Sequence, residues 1–160
     1  MHSEIVEGLH FHHMEKTGTI SMWYNGRRVS RYKNIVQGSR QFFKLGSYFI
    51  KTEYLYDGWI GQCKDEVYTH GLLDACDKQF FTKLLACSDM ANEGIQWTMF
   101  PWYNLKPCST STFLYDQCRS KVDRLCYKYG ISDVAPYVNI NWFIHKGKPL
   151  IVDCGITNGG

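Results

Sequence analysis

No stretch of this 160-residue sequence is apolar for long enough to cross a bilayer, and the region from Met1 to Met14 lacks a basic run followed by an apolar one. These absences lead us to expect a soluble, cytoplasmic protein with no membrane partner. Charge of one sign is also scarce. Lys and Arg total 18 against 15 Asp and Glu, a net charge of +3, and the basic residues are dispersed apart from short pairs such as Arg27-Arg28. That is too little to point to nucleic acid as a partner. No internal repeat or low-complexity linker is visible, and the 7 cysteines, an odd number, include no pair at C-x-x-C spacing. A zinc site is therefore not expected, and a reducing cytosol suits the thiols. Cys118 and Cys126 fall inside a helical pattern, where a small buried apolar residue would serve.

What is present is an ordinary globular balance, with 44% hydrophobic and 21% charged residues, and a high aromatic share of 16%. The length suits one domain, or two small lobes sharing a cleft. Thick aromatic side chains packed into a thin structure are expected. His10, His12 and His13 cluster near the start, but no acidic or cysteine ligand stands at an obvious partner spacing. We expect surface or partly packed histidines rather than a metal site.

Turn chemistry and periodicity divide the chain. Thr19 to Tyr24 and Arg27 to Tyr32 are β-favouring runs around Asn25-Gly26, a dipeptide that tolerates the positive φ angles of a type I′ turn. Gln41 to Leu45 and Tyr48 to Glu53 flank Gly46-Ser47 as a second hairpin. Lys51 lies in its second strand and shares a face with Phe49 and Glu53; a lysine there is alternatively an edge-strand device against aggregation. Gln62 to about Leu73 and Asp77 to Ala86 read as helices, with Gly71 as a break between them and Asp77 as N-cap. Ile95 to Phe100 reads as a strand ended by Pro101, and Pro101 to Pro107 as a connector. A long helix is predicted from Ser109 or Ser111 to Tyr129. Its apolar stripe is Leu114, Cys118, Val122, Leu125 and Tyr129, and Gly130 is its C-cap. Val138 to Ile144 and Pro149 to Val152 then form strand-like runs around Lys146-Gly147-Lys148.

In this order the chain resembles the protein-kinase-like superfamily, in particular the compact kinase-like proteins of bacteriophages. The resemblance spans roughly Ile35 to Thr157. Ile35-Val36-Gln37-Gly38-Ser39-Arg40-Gln41-Phe42-Phe43 is similar to the loop over the ATP phosphates; alone it reads as an ordinary β-turn. Tyr48-Phe49-Ile50-Lys51 resembles the strand carrying the phosphate-binding lysine. Gln62-Cys63-Lys64-Asp65-Glu66-Val67 resembles the helix carrying its carboxylate partner, Glu66, with Asp65 as competitor. Gln96-Trp97-Thr98-Met99-Phe100-Pro101-Trp102 is similar to the strand entering the hinge. The most specific segment runs from Asn139 through Asn141 and the last hairpin to Asp153-Cys154-Gly155. It resembles the stretch from the metal-binding asparagine to the Asp-Phe-Gly aspartate.

The resemblance implies an α+β, truncated protein-kinase-like fold. Its N-lobe would be an antiparallel sheet with a helix, and its reduced C-lobe a long helix and a β-hairpin. The divisions are an N-terminal segment 1–17, an N-lobe 18–103 and a C-lobe 104–160. It further implies ATP and Mg²⁺ as cofactors. Lys51 and Glu66 would act with Asp133 as catalytic residues, and Gly38, Ser39, Lys51, Met99 and Trp102 would contact nucleotide. Asp153 with Asn139 or Asn141 would contact metal. Two departures stand out. Ile131-Ser132-Asp133-Val134 replaces the usual His-Arg-Asp, and the interval from Asp133 to either asparagine is longer than the family's. With few residues after Gly155, an activation segment and peptide-gripping helices are expected to be missing. Two functions follow from the resemblance: a minimal Mg-ATP-dependent phosphotransferase acting on a host factor, or a pseudokinase that inhibits or recruits a host or defence protein. A structural or DNA-associated module, with a misleading resemblance, is the third reading.

Overall fold

A computed structural model of the chain describes residues 2–32, 40–56, 61–91, 94–106, 109–131 and 141–154. Its class is mixed α+β with antiparallel sheets and few helices. The chain divides into two compact units, Met1–Lys64 with Leu84–Trp102, and Asp65–Lys83 with Tyr103–Gly160.

The first unit opens with a short helix, α1 (Ser3–Gly8), and a three-stranded antiparallel sheet of β1 (Leu9–Met14), β2 (Thr19–Tyr24) and β3 (Arg27–Val29). Asn25 and Gly26 adopt φ of 48° and 80°, the mirror-image turn that matches the twist of the flanking strands. The N-terminal segment 1–17 contributes β1, which pairs with β2 from Leu9↔Tyr24 to Met14↔Thr19. The predicted strand Arg27 to Tyr32 is shorter than expected. Past Val29 the chain turns to the next strand, where Arg31 bridges Phe43 and the Tyr32 amide donates to the Phe42 carbonyl at 2.8 Å.

A four-stranded antiparallel sheet follows in the order β4 (Gln41–Leu45), β5 (Tyr48–Leu55), β7 (Gly94–Pro101), β6 (Ala86–Cys87). One face of it packs on Ile20 and Met22 of β2 through Phe43, Ile50, Trp97 and Met99. Phe11 of β1 joins by stacking on Trp97 with ring centroids 6.0 Å apart. Because side chains alternate along a strand, this core fixes what lies on the sheet's other face.

The boundary between the units falls within α2 (Gln62–Leu72), after Lys64. Residues 65–83 group with the second unit. That unit is built on α3 (Phe113–Tyr129) and the hairpin of β8 (Trp142–His145) and β9 (Lys148–Ile151). The Thr112 hydroxyl accepts the Tyr115 amide at 3.1 Å as an N-cap, and Gly130, at φ 69°, closes the helix with its amide on the Cys126 carbonyl. The buried face is Tyr115, Cys118, Val122, Leu125 and Cys126. Leu114, expected in the stripe, is 42% exposed; Tyr115, three residues before Cys118 and seven before Val122, takes the place on the buried face. Tyr115 stacks on the fully buried Trp142 at 5.6 Å.

The helix predicted from Asp77 to Ala86 does not form. Only a 3₁₀ turn covers Lys78–Phe80. Asp77 stands at the N-cap position of that turn, but its side chain makes no capping hydrogen bond. Its carboxylate accepts from the Lys128 ammonium at 2.8 Å and from the Tyr129 hydroxyl, while Lys128 also reaches Asp74 at 2.6 Å. Beyond the turn, Phe81 bridges Ile151 in parallel and the Thr82 amide donates to the Ile151 carbonyl at 3.0 Å. The segment is thus drawn out along β9, and tertiary pairing overrides its helical spacing. Hydrogen bonds from Lys128 and Tyr129 hold the Asp77 carboxyl below the usual carboxylate range, and the two carboxylates beside Lys128 raise its ammonium.

Candidate functional site

Lys51 is placed by the register of β5. Its neighbours across the strands are Phe42 and Thr98, and β5 lies between β4 and β7, so it is an inner strand. The edge-strand alternative for Lys51 is thereby excluded. Ile50 and Met99 point into the apolar core, so Lys51, Phe49, Glu53, Gln96, Thr98 and Phe100 share the opposite face. Lys51 is only 4% exposed, and its ammonium sits 4.6 Å from the centre of the Phe100 ring. A cation over an aromatic face is attracted by the ring quadrupole, more strongly when water is excluded. Arg40, Glu53, Gln96 and Thr98 are also buried.

Beside Lys51 stands a group of aromatic rings. Phe42 stacks on Phe49 at 5.5 Å with 20° between their planes, Phe49 meets Trp102 at 5.6 Å, and Tyr32 contacts Trp102 at 5.1 Å. The Lys44 ammonium lies 5.2 Å from the Trp102 ring centre. The Trp102 amide donates to the Ser47 carbonyl at 2.7 Å, which sets the exit of the chain from β7. Met99, expected to contact nucleotide, is fully buried in the core on the far side of the sheet. Phe100 is the β7 aromatic on Lys51's face. Phe49 shares that face as the alternation along the strand led us to expect, whereas Phe42 and Phe100 were not singled out from the sequence. The signal was available in the alternation from Lys51, once the pairing of β5 with β4 and β7 is known.

In the second unit, Glu66 is 1% exposed and lies one turn before the buried Thr69, whereas Tyr68 and Leu72 are exposed. Asp65, the competing carboxylate, is half-buried. At the open end of the β8–β9 hairpin the Asn141 carbonyl accepts the amides of Val152 at 2.8 Å and Asp153 at 3.2 Å. The hairpin therefore joins Asn141 and Asp153, two of the residues expected to contact metal. Both side chains offer the oxygen donors a hard cation such as Mg²⁺ takes, which is the fit that chemistry demands. Among the described residues no group of three or more His, Cys, Asp or Glu converges. Gly38, Ser39, Asp133 and Asn139 lie outside the described residues. Lys51, Met99 and Trp102 fall in the first unit, and Glu66, Asn141 and Asp153 in the second.

The remaining candidates have structural explanations. His13 stacks on Tyr54 at 3.6 Å, while His10 and His12 are exposed. Cys63, Cys118, Cys126 and Cys154 are buried, and burial together with Asp89 pushes the Cys87 thiol up. No helix among the described residues is long and apolar enough to cross a membrane. No protein-family model matches the chain, and no curated protein is significantly similar to it.

Proposed function

We propose that the chain is a protein-kinase-like protein that binds ATP with Mg²⁺, in a truncated version of that fold. The observation that carries this reading is the face of the four-stranded sheet on which a buried lysine, Lys51, stands beside the rings of Phe42, Phe49 and Trp102. A cation next to flat apolar surfaces matches a ligand with a phosphate chain and an aromatic base. In this reading Lys51 meets the phosphates, Glu66 is its carboxylate partner, and Gly38 and Ser39 cover the phosphates with backbone amides. Asp153 and one of Asn139 and Asn141 hold the metal, whose contribution is to neutralise phosphate charge. Asp133 orients the acceptor of a transferred phosphoryl group.

A second reading is a pseudokinase that engages a protein of a host or of its defence machinery. The replacement of His-Arg-Asp by Ile131-Ser132-Asp133 favours it. One experiment tests both. Thermal unfolding is followed with and without Mg-ATP for wild type, Lys51→Ala and Asp153→Ala, and γ-phosphate transfer is assayed alongside. Ligand at a hundred times its dissociation constant stabilises wild type by about 2.7 kcal/mol, and both substitutions abolish the shift. Absence of a shift in wild type overturns nucleotide binding. A shift without transfer selects the pseudokinase.

A further inference from the structure

Resting on the nucleotide-binding reading, we propose that Glu53 is a positioning residue for Lys51 and acts through Cys63. Glu53 lies two positions along β5 from Lys51, on the same face, and is 7% exposed. Its Oε1 accepts the Cys63 amide at 2.7 Å. That amide is in the first turn of α2, where N–H groups have no carbonyl of their own helix to reach. A buried carboxyl group is tolerated only when it is hydrogen-bonded, and this bond also satisfies an amide that the helix leaves without a partner of its own.

The same cysteine returns the contact to Lys51. The Cys63 sulfur is fully buried, 3.9 Å from the Lys51 carbonyl oxygen, 3.8 Å from that of Gln96 and 3.9 Å from the Arg40 guanidinium. Glu53 thus grips Cys63 by its amide, and Cys63 sits against the peptide of Lys51 on β5 and of Gln96 on β7. Gly61 completes the closure. A Cβ at this position would fall on the Glu53 carboxylate and touch the Leu55 side chain. The loop of contacts fixes the peptide from which the Lys51 side chain departs, and small errors in the placement of a binding group carry large penalties.

The test titrates Mg-ATP into wild type, Glu53→Ala, Glu53→Gln and Gly61→Ala by calorimetry, with amide hydrogen exchange at Cys63 read in parallel. Ile50→Val, a core change on the opposite face, serves as the control for lost stability alone. Glu53→Ala and Gly61→Ala weaken Mg-ATP binding about tenfold and release Cys63 from protection. Glu53→Gln retains an acceptor oxygen and restores both to within about twofold of wild type, and Ile50→Val lowers the melting temperature with binding unchanged. Wild-type affinity in Glu53→Ala or, should that variant not fold, in Gly61→Ala overturns the positioning role and leaves the nucleotide reading intact. Glu53→Gln as weak as Glu53→Ala overturns it too, by assigning the effect to charge. No binding by wild type overturns the nucleotide reading and this role with it.

Discussion

The two units of the chain bury polar groups in different ways. In the first, the charged and polar side chains of Arg40, Lys51, Glu53, Gln96 and Thr98 are enclosed on or beside one face of a sheet whose other face is apolar core. Their positions follow from strand register, so each is held by residues distant in sequence. In the second, a single helix packs an apolar stripe on a hairpin, and Lys128, Asp74, Asp77 and Tyr129 tie together the end of that helix. Caps and turns do most of the placing there. The contrast separates a unit organised by pairing from one organised by local signals. A one-residue slip of β5 would exchange Lys51 with Ile50 and place an ammonium in the apolar core, whereas α3 would keep its face through small shifts.

The sharpest way to break this comparison is Trp142→Ala. Trp142 is fully buried against Tyr115, and its loss costs about 3–5 kcal/mol. Hydrogen exchange should accelerate in α3, β8 and β9 while β4, β5 and β7 keep their protection. Equal loss in both sets would mean that the units unfold together. The reciprocal change, Met99→Ala, removes a fully buried core side chain of the first unit and costs about 2–5 kcal/mol, with the acceleration now in β4, β5 and β7.

Smaller effects sharpen the local side of the contrast. Thr112→Ala removes the acceptor of the Tyr115 amide and costs about 1 kcal/mol. Gly130→Ala forces a side chain into the left-handed region and costs about 1–2 kcal/mol at φ 69°. Denaturant midpoints read both, and the larger loss in Gly130→Ala would identify the C-cap as the tighter constraint. The smallest change is a pH dependence. The folded-state pKa of Asp77 is depressed, so its stabilisation is present above the ordinary carboxylate pKa and is lost as pH falls through the depressed value. Asp77→Asn should flatten acid unfolding of the second unit below about pH 4. An unchanged acid limb would assign that limb to other carboxylates.

These differences also mark where the sequence was readable. Asn25-Gly26 and Lys146-Gly147 set their turns because few residue pairs accept two positive φ angles, and both adopt them. Thr112, close to the predicted start, and Gly130 bound the long helix for similarly local reasons. The spacing of Phe80, Phe81, Leu84 and Leu85 suggested a second helix, but Phe81 and Thr82 find partners on β9 instead, and no local pattern announces a strand so distant in sequence.

By itself the sequence determined the hairpins at Asn25-Gly26, Gly46-Ser47 and Lys146-Gly147, the long helix and its C-cap, the mixed class, and Lys51 as a lysine inside a strand. Those features depend on φ preferences and side-chain periods carried by neighbouring residues. Only the tertiary structure decided that β5 is an inner strand, that Phe42 and Phe100 join Phe49 on the face of Lys51, and that residues 65–83 join the second unit. Which strands pair, and in what register, is settled by burying apolar area across long stretches of chain, and no single segment carries that information.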